Sequence, residues 1–120
     1  MKRFISRYID SVGRLEVLLL LRSREDRPWS AEEVSRELRS NPTIATHHLE
    51  ALASFGLLQA EGAGASYSYA PKTPSLRETV GELASQYSSR RVTIIGFIYE
   101  SPVDPSIRSF ADAFKIRKED

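Results

Sequence analysis

Apolar positions along the first part of the chain follow a helical period. Phe4, Ile5, Tyr8, Ile9 and Val12 form one stripe, while Leu15 and residues 17–21 are apolar nearly all round, the pattern of a helix at the centre of a core. Gly13 loosens the join between them and Asp10 or Ser11 is free to cap a fresh start, so residues 2–24 predict one bent helix or two. The charged run 22–27 ends this segment, and Pro28 confirms the break. Ser30 and Glu33 then have the S-x-x-E spacing of a capping box, with Trp29 before the cap and Val34 at the fourth helical position as a hydrophobic staple. Val34 and Leu38 face inward together, and this short helix should stop near Arg39 or Ser40. Asn41 caps the next helix, whose first residue is Pro42, where a missing N–H is harmless. Ile44, Ala45, His48, Leu49 and Leu52 share one face of it, and Gly56 ends it as a left-handed terminal residue.

Beyond Gly56 the period changes to two. Residues 57–60 read as a short strand and 62–64 as a loose turn. Tyr67 and Tyr69, alternating with Ser66 and Ser68, read as the return strand, so the segment is a small hairpin. Pro71 and Pro74 punctuate a connection to a longer pattern in which Leu76, Val80, Leu83, Tyr87, Ile94 and Phe97 fall at heptad-like steps, broken only at Arg90. Residues 92–99 are β-branched and aromatic, so a strand competes there, but the continuing stripe favours helix. Pro102 closes that element, and Asp104 with Pro105 opens a last helix with Ile107, Phe110, Ala111 and Phe114 on one face and Lys115, Arg117 and Lys118 toward its C-terminal end. No internal repeat or low-complexity segment is present.

Composition narrows the chemistry. The 120 residues, 41% hydrophobic and 28% charged, predict one compact unit or a small domain with a helical extension. Lys and Arg number 17 against 16 Asp and Glu, so no general attraction to polyanions follows, and a nucleic-acid role has to come from local geometry. Cysteine is absent, which excludes disulfides, thiolate nucleophiles, iron–sulfur clusters and cysteine-ligated zinc. The longest apolar runs, 17–21 and, allowing one Thr and one Gly, 92–99, fall far short of the roughly 18 to 20 residues of a membrane helix, and the first ten residues do not form a secretory signal. No membrane partner is expected, and the expected location is the cytoplasm. His47 and His48 are adjacent, and neighbours on a helix point about 100° apart, too far to share one ion with Glu50. His48 should be partly buried and His47 exposed. No nucleophile, base and orienter form a catalytic motif, and Gly62 and Gly64 do not make a phosphate-binding loop, so neither an enzymatic activity nor a metal or other cofactor is expected.

The order helix, capped short helix, turn, helix and hairpin is that of a winged helix-turn-helix domain. Residues 41–52, NPTIATHHLEAL, followed by Phe55, Gly56, Leu57 and Leu58, resemble the recognition helix of small bacterial ArsR-like and MarR-like repressors, and residues 14–18 resemble their opening core helix. The resemblance covers residues 11–72. It departs from the pattern in three ways. The spacing from Leu38 to Ile44 is one residue short, Arg39 stands where the turn commonly carries glycine, and neither those families' metal ligands nor the Asp-x-Arg of the MarR-like wing has a counterpart. The expected fold is mainly α with a small β-hairpin, divided into an N-terminal helical arm (1–10), a winged helix-turn-helix domain (11–72) and a helical dimerisation extension (73–120).

What the resemblance implies is a homodimeric regulator bound to double-stranded DNA. The helix after Asn41 enters the major groove and the hairpin reaches the backbone or minor groove. Carried over residue by residue, Thr43, Thr46, His47 and Glu50 face the groove, while Asn41, Pro42 and Thr43 at the helix N-terminus set backbone donors beside phosphate. Arg36, Arg39 and Lys72, with Arg27 and Arg77, flank this segment as candidate contacts to neighbouring phosphates. Residues 40–71 hold no Lys or Arg but do hold Glu50 and Glu61, which favours the alternative of a winged-helix adaptor docking on a protein partner. Tyr67 and Tyr69 are expected to cover their own core rather than stack on bases. A winged core of about 60 residues offers limited surface to a long extension, so Phe4, Tyr8, Leu76, Val80, Leu83, Tyr87, Ile94 and Phe97 are assigned to a dimer interface, where Arg90 needs a partner carboxylate or solvent.

Overall fold

The computed structural model describes residues 1–62 and 66–100. The helix expected to start at Asp104 and the tip of the hairpin lie outside them. Among the described residues six helices surround one core, with a two-stranded antiparallel hairpin between the fourth and fifth. This mainly helical order is consistent with a winged helix-turn-helix architecture.

The N-terminal pattern resolves into two helices, α1 (Lys2–Tyr8) and α2 (Val12–Ser23). Ser11 makes the break: its hydroxyl accepts from the Arg14 N–H at 3.1 Å and satisfies one of the orphan donors of a helix start. Ile9, in the extended link, is buried with Phe4 and Ile5, so the expected arm is part of the same core as α2. Helix α3 (Ala31–Leu38) opens on the full capping box. The Ser30 hydroxyl accepts from the Glu33 N–H at 3.1 Å, and the Glu33 carboxylate accepts from the Ser30 N–H at 2.9 Å. Trp29 and Val34 are both buried, as a staple requires. The Ser30 N–H, with the Arg27 guanidinium beside it, holds the Glu33 carboxyl below its ordinary 4.5.

The turn after α3 is closed by Arg39 in the left-handed conformation, φ 55° and ψ 45°, which lets the Ser40 N–H reach the Ser35 carbonyl at 2.8 Å. A side chain costs about 1 kcal/mol there relative to glycine, so Arg39 substitutes for the usual residue at a small energetic loss. Helix α4 (Pro42–Ser54) starts where the Asn41 side chain accepts from the Ile44 N–H at 2.9 Å, and it ends at Gly56, φ 84°, with the Leu57 N–H returning to the Leu52 carbonyl.

Strands β1 (Leu58–Glu61) and β2 (Ser66–Tyr69) pair with Leu58 opposite Tyr69 and Glu61 opposite Ser66. A further rung joins them to the segment before α3: Trp29 and Tyr67 exchange both backbone hydrogen bonds, at 2.7 and 2.8 Å. The hairpin is thereby tied to α3, and Tyr67 and Tyr69 are buried against the core as expected.

The C-terminal stripe is helical throughout, but not as one helix. Helix α5 (Pro74–Ser89) stops at Arg90, whose φ −134° and ψ 54° leave the helical region, and α6 (Arg91–Glu100) turns back to pack on α5 and α1. That return fills the stripe from within: Phe4, Val80, Leu83, Tyr87 and Ile94 are buried in a single chain, while Tyr8, Leu76 and Phe97 are half-buried against the same core. Arg90, the residue at which the stripe breaks, is exposed to solvent. Among the described residues no helix is long and apolar enough to cross a membrane.

Candidate nucleic-acid interface

Helix α4 buries Ala45, Leu49 and Leu52 and presents Asn41, Thr43, His47 and Glu50 outward, with Thr46 half-buried at the margin. The cap and Pro42 set its first turn, and the apolar spacing sets its rotation. Ile44, expected to face inward with Ala45, is instead 48% exposed. It sits in the first turn, where the short α3 and its left-handed closure leave a cavity of about 70 Å³ between α2, α3 and α4. Gly13, Glu16, Val34, Leu38, Ile44 and His48 are among its lining residues.

The flanking cations fall into two groups. Arg27 is held by the Glu33 carboxylate at 2.6 Å and lies 4.1 Å from the Trp29 ring centroid, and Arg77 is held by Glu25 at 2.9 Å. The Glu25 carboxylate pushes the Arg77 pKa up. These two are committed to the fold. Arg36, Arg39 and Lys72 are exposed and form no ion pair among the described residues. Arg36 and Arg39 belong to α3 and its turn, on the N-terminal side of α4. Lys72 lies at the other end, its N–H bound to the Gly56 carbonyl at 2.8 Å and its stem so close over Gly56 that an added Cβ would come within 2.8 Å of it. Along the chain, α4 is therefore flanked by cations without an ion pair among the described residues, with none on the helix itself. Hydroxyl, imidazole and carboxylate groups can read base edges, and the flanking cations can neutralise phosphates.

A residue outside the sequence-derived set supports α4 from below. Arg14 on α2 is only 6% exposed; its Nε–H donates to His48 Nδ1 at 3.3 Å, and its guanidinium meets the Asp10 carboxylate at 3.3 Å. Burial, and then the Arg14 charge, push the His48 imidazole below its ordinary 6.5. The only signal available beforehand was an arginine within the apolar stripe of residues 12–21. His48 is half-buried and His47 exposed, as their helical phase required. Among the described residues no group of three or more acidic or imidazole side chains is arranged to hold a metal ion. The chain matches no protein-family model, no curated protein and no solved structure.

Proposed function

We propose that this chain is a DNA-binding transcription regulator that lays α4 in the major groove and rests its hairpin on the backbone or minor groove. The observation that carries this reading is the uncharged first half of α4, with Thr43 and His47 exposed, flanked along the chain by Arg36, Arg39 and Lys72, which are exposed and form no ion pair among the described residues. The reading uses two copies, since a two-fold operator offers two half-sites. Among the described residues the outer face of α6 offers a surface for pairing: Val92 is 84% and Tyr99 80% exposed on a helix apolar on nearly every side.

The test is a salt titration of binding to a mixed-sequence duplex. Affinity should fall linearly on logarithmic axes as salt rises, and Arg36→Ala, Arg39→Asn and Lys72→Ala should each lower that slope by about 1. Asparagine is chosen at 39 because it tolerates the left-handed backbone. Thr43→Ala with His47→Ala should change the sequences recovered from a random-duplex selection. Absence of duplex affinity even at low salt would favour the second reading, an adaptor docking the same helix on a protein, which the lack of Lys and Arg in residues 40–71 and the exposed Ile44 support.

A further inference from the structure

Arg14 is the only charged side chain on the buried face of α2. A guanidinium does not shed its proton in proteins, so its neighbours have to accommodate a permanent charge. Asp10 does so as a carboxylate. His48 does so by accepting the Nε–H at Nδ1, which requires a lone pair there and therefore a neutral ring carrying its hydrogen on Nε2. The Nε2 edge faces Gly13, where an added Cβ would stand 3.3 Å away, and the ring borders the cavity beneath α4. Glu16, on the same α2, borders that cavity too and forms no ion pair among the described residues. The titratable and charged groups acting on His48 are Arg14 from α2, Asp10 from the preceding link and His47 from its own helix; Glu16 of α2 shares the cavity wall, to which α3 contributes Val34 and Leu38.

We propose that His48 is a proton-operated latch on α4: neutral, it accepts from Arg14 and seats the middle of the helix on α2; protonated, it leaves Arg14 and turns through the cavity toward the Glu16 carboxylate. A proton taken from solvent onto Nδ1 turns the acceptor into a donor and sets two cations face to face, so the 3.3 Å contact cannot survive. The cavity provides room for the ring, and Glu16 provides an acceptor. Burial and the Arg14 charge both favour the neutral form, with Asp10 opposing them. Acidification therefore loosens α4. Its consequence for DNA rests on the function proposed above; the latch itself does not.

The experiment follows the His48 ring and the α4 backbone amides by NMR from pH 8 to pH 4.5 in the full chain, without DNA. The expected result is an Nε2–H ring at high pH, a midpoint below 6.5, and α4 amide shifts that move with the same midpoint. Arg14→Met should raise the midpoint by removing the facing cation. Glu16→Gln, at an exposed position that leaves the core intact, should lower it by removing the acceptor of the charged form. An Nδ1–H ring at neutral pH, a midpoint unmoved by Glu16→Gln, or α4 amides silent across the titration would each overturn the latch. Duplex binding is measured separately on the same samples: a working latch without duplex affinity upholds this inference and overturns the DNA reading.

Discussion

Between Ser30 and Gly56 each helix end is closed by chemistry from its immediate neighbours: the Ser30–Glu33 box, the left-handed Arg39, the Asn41 cap and the left-handed Gly56. The terminal helices are held differently. Helix α1 has no side-chain cap, and α6 starts directly after the break at Arg90; the two meet although more than eighty positions separate them in the chain. The first region is a string of local solutions of about 1 kcal/mol each. The second depends on burial, which is worth more per residue and cannot be formed until both helices arrive.

The comparison is sharpest where burial is removed. Ile94→Ala on α6 should cost about 2–5 kcal/mol in denaturant unfolding. Because Ile94 is buried within one chain, that loss should not vary with protein concentration; a strong concentration dependence would return it to a subunit interface. Gly56→Ala tests the local side: with φ at 84° the new side chain should cost roughly 1–2 kcal/mol, and the Lys72 stem over it has to shift.

The two regions meet at Arg14 and His48, and there pH is the probe. The folded chain holds His48 below its unfolded value of 6.5, so near that pH it binds fewer protons than the unfolded chain. Stability is therefore full above 6.5 and is lost as pH falls through the folded value. The slope should stay below the one-proton limit of about 1.4 kcal/mol per pH unit, because solvent screens a half-exposed ring. Urea midpoints measured from pH 7.5 to pH 5 check this, and His48→Gln should remove His48's contribution to the dependence. The smallest effect is expected at Arg39→Gly. Relief of the left-handed strain, offset by greater freedom of the unfolded chain, leaves a gain of roughly 0.5 kcal/mol. A loss there would mean that the arginine side chain itself supports the turn.

The candidate site was legible where it depends on helical phase. Thr43, His47 and Glu50 face outward because Ala45, Leu49 and Leu52 face inward, and that follows from spacing. Ile44 departs because inward phase buries a side chain only if a neighbour covers it, and the end of α3 leaves a cavity there. The division of the cations was not legible. Arg27 and Arg36 are alike as residues on a chain, yet Arg27 meets Glu33 and Trp29 while Arg36 meets no carboxylate among the described residues. The rung between Trp29 and Tyr67 was equally hidden, since nothing in either residue specifies a backbone partner so far along the chain.

The helix caps and the left-handed closures at Arg39 and Gly56 were written in the order of residues, because each depends on groups only a few positions apart, and the hairpin strands follow from a period of two on either side of one short turn. Tertiary structure alone decided that α6 folds back on α1, that Arg14 reaches under α4 to His48, and which cations remain unpaired. Those outcomes depend on side chains separated by tens of positions, and only the closing of a common core brings them within contact.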